Sequence, residues 1–132
     1  MMFTSTITIF NQKLNSETGY DVYHKTVLSE AYWEASQGIK VGTINLTTDA
    51  TIEVVIPMST EGFMLPNDYQ SAESVVGKWT LASGDYIVKG DVDAITKVSD
   101  LESYDRKMVI TGLEINDQSK IKYLHNYTVV GK

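Results

Sequence analysis

Cysteine is missing altogether from this chain of 132 residues, and proline and histidine occur only twice each. Without thiols there is no disulfide framework, no thiolate zinc centre and no cysteine nucleophile. Cations are scarce as well: 11 Lys+Arg stand against 17 Asp+Glu, a formal net charge of −6. That balance lacks the basic footprint that neutralises phosphates, and it argues against a sequence-reading nucleic-acid binder. No apolar run is long enough to span a membrane. The opening Met1-Met2-Phe3-Thr4-Ser5-Thr6 has neither the basic start nor the unbroken apolar stretch of a signal peptide, so synthesis in the cytoplasm and no membrane partner are expected. What is present is ordinary for a folded protein, 42% hydrophobic and 21% charged, in a length that suits one domain over residues 1–132.

The apolar residues fall mostly at period 2. Ile7 and Ile9 share one face of a first strand, Thr6 to Asn11. A polar connection ending in Gly19 leads to a second, Tyr20 to Leu28, and a hairpin between the two is expected, with Ala31 to Glu34 continuing past a bend and Trp33 in the core. Ile39 and Val41 lie on one parity and Ile44 and Leu46 on the other, which predicts a bulge at Gly42. The same parity change, from Met108 and Ile110 to Leu113 and Ile115, predicts one at Gly112. Thr51 to Pro57 reads as a strand closed by proline, and Trp79-Thr80-Leu81 with Asp85 to Val92 reads as a short hairpin turning at Ala82-Ser83-Gly84. A final strand is expected over Ile121 to Val130, after a turn at Asn116-Asp117-Gln118-Ser119. One short helix is expected near Val98 to Tyr104, with Ser99 and Glu102 as a capping box. Residues 58–78 form the unusual piece, a long polar loop of the length typical of functional or flexible segments, carrying Phe63, Met64 and Leu65 without either periodicity. Strands that kink at glycine curl strongly, so the expected fold is mostly β, a small β-barrel or tight β-sandwich with one short helix and one long loop.

Residues able to carry chemistry are few. His24 and His125 sit about a hundred positions apart with no third ligand at metal spacing, so a structural role is favoured for both. Asp91 and Asp93, with Asp100, Glu102 and Asp105 close by, lack the loop spacing and turn glycine of a helix-loop-helix calcium site and read as a solvated acidic edge. No nucleophile elbow, phosphate-cradling glycine loop or zinc-protease motif occurs. No catalytic residue, cofactor or metal is therefore assigned. Asn45-Leu46-Thr47 and Asn126-Tyr127-Thr128 match the glycosylation triplet by chance in a chain without an export signal. Tyr20, Tyr23 and Tyr32 offer an alternative, an aromatic face for a carbohydrate or peptide, and an unrecognised carboxylate pair for hydrolysis is a further one. Three adjacent apolar residues in a polar loop must fold back or meet a partner. Phe63, Met64, Leu65 and Pro66, with Tyr69, are the candidate interface residues.

Several segments, in this order, resemble a family of small phage structural proteins, the minor capsid or head–tail connector proteins of Gram-positive siphophages and their prophages. They are Thr6-Ile7-Thr8-Ile9-Phe10-Asn11, Gly19-Tyr20-Asp21-Val22-Tyr23 with Thr26-Val27-Leu28, Trp33, and Ile56-Pro57. Further on come Trp79-Thr80-Leu81, Gly84-Asp85-Tyr86-Ile87-Val88-Lys89-Gly90-Asp91-Val92 and the terminal Val129-Val130-Gly131-Lys132. The resemblance implies a non-enzymatic, stopper-like head-completion subunit, which forms a ring with copies of itself at the neck of the virion. It implies portal, adaptor or tail proteins as neighbours. An acidic channel wall would let DNA pass without sequence-specific binding.

Overall fold

The computed structural model describes residues 5–14, 19, 21–39, 48–58, 60–95, 97–104, 106–116 and 125–132. Six strands are described: β1 (Ser5–Leu14), β2 (Asp21–Ile39), β3 (Thr48–Pro57), β4 (Tyr86–Lys89), β5 (Lys107–Asn116) and β6 (Asn126–Gly131). A six-residue helix, α1 (Pro66–Ser71), lies between β3 and β4, and a 3-10 turn at Val98–Leu101 lies between β4 and β5. All pairings are antiparallel and run β1-β2-β3-β6-β5-β4 and back to β1, closing a barrel. The protein is thus mostly β, as its period-2 patterning predicts.

Two long strands turn the corners. β2 pairs β1 as far as Ala31, then pairs β3 from Tyr32 onward. The register slips between Ser5↔Ala31 and Ile7↔Leu28, where β2 carries one extra residue. β5 pairs β4 through Val109 and β6 from Ile110, with a second slip between Ile110 and Gly112. An extra residue bends a strand and increases its local twist, which lets a sheet change direction and close. The bend expected before Ala31 and the parity change at Gly112 are these two corners. The bulge expected at Gly42 and the start of the last strand, Ile121 to Leu124, lie outside the described residues.

The barrel interior is filled by Ile7, Ile9, Leu28, Trp33, Val54, Ile56, Ile87, Met108, Ile110 and Val129, with Trp79 and Leu81 entering from the segment after α1. β1 is buried on both faces. Phe10 and Val88 point outward into a second cluster with Ile95 and Leu101, so the segment from Asp91 to Tyr104 straps the outside of the sheet. The Thr8 hydroxyl pins that strap, donating to the Gly90 carbonyl at 2.7 Å and accepting from the Val92 N–H at 3.2 Å. Gly131 is fixed by crowding. A Cβ there would strike the Val109 carbonyl and the Met108 methyl of β5.

Three local expectations are corrected. Trp79-Thr80-Leu81 is not half of a hairpin: β4 pairs β1 and β5, and Trp79 instead bridges Phe63 in parallel. The turn at Ala82 to Asp85 is real, closed by Asp85 N–H to Ala82 O at 3.0 Å, but the residues before it plug the barrel. Around Val98 the cap is Asp100, whose carboxylate accepts from the Lys97 N–H at 3.3 Å; Ser99 lies inside the turn. Residues 58–78 are not a featureless loop, because Pro66 opens α1 at its first position, where its fixed φ and missing N–H cost nothing. Six residues are too few to show a helical period, and Pro66 followed by Asp68 in the first turn was the legible signal.

Candidate functional site

One end of the barrel is closed by residues 60–85, and the sequence-derived candidates meet there. Phe63 turns inward, its ring 4.2 Å from that of Tyr127 in a stacked arrangement and 5.2 Å from that of Trp79 at an edge. The Trp79 indole N–H donates to the Glu61 carbonyl at 2.8 Å, and the Met64 N–H donates to the Trp79 carbonyl at 2.9 Å. Tyr69, on the inner side of α1, is fully buried. Of the five candidate interface residues, Leu65 is the one whose side chain is largely exposed, at 50%; Phe63, Met64 and Pro66 are half-buried. Three adjacent apolar residues have split: Phe63 folds back, while Leu65 faces solvent.

Beneath this plug lies a buried polar cluster that period counting alone passed over. Asn11 shares the inward parity of Ile7 and Ile9 on β1, and that phase was its one sequence signal. Its Nδ2 donates to the Thr80 carbonyl at 2.7 Å and to Asp85 Oδ2 at 2.9 Å, and its Oδ1 accepts from the Thr80 N–H at 3.1 Å. Asp85 Oδ1 accepts from the Gln12 N–H at 3.1 Å. Burial pushes the Asp85 carboxyl above the usual aspartate range, and the hydrogen bonds from Asn11, Gln12 and Ala82 pull against that. The Tyr69 phenol is pushed up to about 12 by burial first and by the nearby Asp85 charge second. Its hydroxyl and that of Thr80 are buried with no hydrogen-bond partner among the described residues. The cluster fastens the plug to β1, since each bond of Asn11 satisfies a backbone or carboxylate group that would otherwise be stranded.

His24 stands opposite Asn11 on β2, its ring 6.4 Å from Tyr69 at an edge. Burial first and the Lys13 charge second hold its imidazole below the usual histidine range. His125 lies just before β6, where its carbonyl accepts from the Met58 N–H at 3.1 Å. Among the described residues no group of three His, Cys, Asp or Glu side chains could hold a metal ion. Asp91 pairs with Lys25 at 3.4 Å on the surface and Asp100 caps the 3-10 turn, while Asp105 lies outside the described residues. Two of the three tyrosines of the aromatic alternative fall among the described residues. Tyr23 packs into the outer cluster with Phe10, Tyr32 lies in the part of β2 that pairs β3, and Tyr20 is outside the described residues.

Beside the plug an open groove of about 1100 Å³ runs between the first half of β2 and residues 70–79. Residues 2–132 match a family of unknown function, DUF6751. The chain belongs to that family. No curated protein and no solved structure matches it. In this DUF6751 member the groove wall from Val22 to Leu28 is a strand paired with β1 on one edge, and no described strand pairs with the other. Gln70 holds α1 across the top, its side-chain amide donating to the Gln12 carbonyl at 2.7 Å and its own carbonyl accepting from Lys13 Nζ at 2.9 Å. Among the described residues no helix is long and apolar enough to cross a membrane.

Proposed function

We propose that this protein is a non-enzymatic assembly subunit that meets copies of itself through sheet edges, and that the assembly is the stopper-like ring at the neck of a tailed phage. The observation that carries the reading is the β2–β3 ribbon. β3 pairs β6 only from Ile52 to Pro57, whereas its pairing with β2 continues back to Thr48, opposite Ile39. Residues 48–51 and their β2 partners therefore form a two-stranded extension of the barrel wall with no third described strand beside it. Open edges present unpaired N–H and C=O groups to another chain, and monomeric proteins usually blunt or cover them. A heterologous contact of this kind closes into a ring when its rotation divides a full turn. The exposed Leu65 of the plug offers a second contact to the same neighbour or to a portal, adaptor or tail protein, and the acidic balance of the chain suits a wall past which DNA slides.

The test is to incubate the purified protein with tail-less capsids and image the portal vertex. Added ring density there is expected; capsids that stay bare at saturating protein refute the reading. An oligosaccharide titration followed by tryptophan fluorescence is expected to show no response, and a saturable change would favour a carbohydrate-binding domain instead.

A further inference from the structure

We infer that residues 65–76 form a flap that lifts off the barrel as a unit while the rest of the plug stays seated. The two parts of the plug are held very differently. After the flap, Trp79, Thr80, Leu81 and Asp85 are all buried, and the buried bonds of Asn11 to the Thr80 main chain and to Asp85 tie them to β1. Within the flap Tyr69 and Val75 are the buried residues, and every other position is exposed or half-buried. Among the described residues two hydrogen bonds join the flap to the barrel, from the Gln70 side-chain amide to the Gln12 carbonyl and from Lys13 Nζ to the Gln70 carbonyl. Both lie at the surface, where water competes for the same groups. With six residues and no side-chain bond at its N-cap, α1 is too short to hold its own shape once detached.

The base of the flap is a hinge. Its two ends are pinned together, the Trp79 N–H donating to the Gly62 carbonyl and the Met64 N–H to the Trp79 carbonyl, each at 2.9 Å. They also touch: a Cβ on Gly62 would fall 2.6 Å from the Gly77 carbonyl oxygen. The chain leaves this base through Leu65, in extended backbone, and returns through Gly77, whose φ is +73° and where nothing lies within 4 Å of a Cβ position. Room to turn is therefore present beside a fixed base. The bond that crosses the second hinge, Lys78 N–H to the Val75 carbonyl at 3.0 Å, is a turn bond that water replaces on opening. Opening also relieves Tyr69, whose buried hydroxyl has no partner among the described residues, and it gives water a path toward the buried Asp85 carboxyl nearby. Burial of the Tyr69 ring against His24, and of Val75, keeps the closed form dominant and makes the open form a minor state below global unfolding. The flap is one wall of the groove, where Val76, 90% exposed, lies with Leu14, Val22 and Val27. Lifting it widens the groove and frees the His24 ring.

The absence of cysteine lets single thiols report the motion. Val75→Cys places one under the flap and Leu81→Cys one under the anchored part, and each chain is mixed with a thiol reagent in urea below the unfolding range. Val75→Cys is expected to react at least about 100-fold faster than Leu81→Cys, at a rate that stays flat with urea because a local opening exposes little surface. Adding Gln70→Ala, which deletes one surface bond of the flap, is expected to raise the Val75→Cys rate about threefold. In the wild-type chain, hydrogen exchange is expected to show the same division, the Tyr69 N–H exchanging faster than the Thr80 N–H. Equal thiol rates with one shared urea dependence overturn the flap, because the two parts then leave only together. A fast Val75→Cys rate that ignores Gln70→Ala overturns it as well, since the reagent then reaches the thiol without any opening. If Val75→Cys fails to fold, the wild-type exchange decides: Tyr69 and Thr80 amides that exchange together overturn the flap.

Discussion

Asn11→Asp exchanges one atom in the cluster beneath the plug and turns a donor into an acceptor. The substituted oxygen would sit about where Nδ2 now lies, 2.9 Å from Asp85 Oδ2 and 2.7 Å from the Thr80 carbonyl. Two carboxylates at that separation repel by about 6 kcal/mol at an effective dielectric of about 20. The protein escapes more cheaply by keeping one proton on the pair. Holding a carboxyl of ordinary pKa near 3.9 protonated at pH 7 costs about 4 kcal/mol, and at pH 4.5 under about 1 kcal/mol. One acceptor left without its donor adds about 1 kcal/mol at either pH. The variant is thus expected to lose about 5 kcal/mol relative to wild type at pH 7 and about 2 kcal/mol at pH 4.5. The sign follows from linkage: the folded pair binds its proton more tightly than the unfolded chain, so the protonation part of the deficit is absent below the unfolded pKa and grows as pH rises toward the folded one. Asp85 already titrates high in the wild type for the same reason of burial, so the difference between the two proteins is the quantity to read. Urea unfolding followed by tryptophan emission suits the measurement, because Trp79 lies in the plug and Trp33 in the barrel wall. A deficit of the same size at both pH values, or none, would refute the argument that Asn11 and Asp85 share one desolvated site.

Tyr69→Phe removes a buried hydroxyl that has no partner among the described residues, so stability is expected to hold or rise by up to about 1 kcal/mol, and an ultraviolet titration should lose a phenol ionising near 12. A marked loss would mean that the hydroxyl is bonded in solution. Gly131→Ala forces a methyl against the Val109 carbonyl and is expected to cost about 1–3 kcal/mol, seen as a lower melting temperature by calorimetry; an unchanged value would contradict the close approach of β6 to β5. Asp91→Asn breaks an exposed ion pair with Lys25 and is expected to change stability by less than about 1 kcal/mol at low salt and by less still at high salt.

Local pattern reached far into the fold. The alternation of Ile7 with Ile9 and of Ile52, Val54 and Ile56 is enforced by a pleat that sends neighbouring side chains to opposite faces, and the run of aliphatic residues on the inward parity makes that alternation readable. The parity change across Gly112 was legible for the same reason, since a strand that keeps one face inward must add a residue to change phase. Proline, too, acts locally, and Pro57 ends β3 where it was expected to. The parts that escaped are those whose partners are distant in sequence. Trp79-Thr80-Leu81 has strand composition, but Thr80 is claimed by Asn11, 69 positions away, and Trp79 by Gly62 and Phe63. Residues 58–78 looked like a free loop because α1 is shorter than two turns and owes its order to Tyr69, buried under the plug.

The candidate site divides in the same way. The amino-acid sequence by itself determined that the protein is acidic, free of thiols and built of alternating strands, because charge, composition and phase are properties of residues and near neighbours. It singled out Leu65 as an apolar residue in polar surroundings, and it had no means of separating Leu65 from Phe63 and Tyr69. Only the closing of the barrel decided that, by turning two of the three inward. The tertiary structure alone brought Asn11 to Asp85, gathered Leu14, Val22, Val27 and Val76 around one groove, and left an edge of β2 open. Each depends on which strands lie side by side, and strand order is settled by long-range burial that no local pattern encodes.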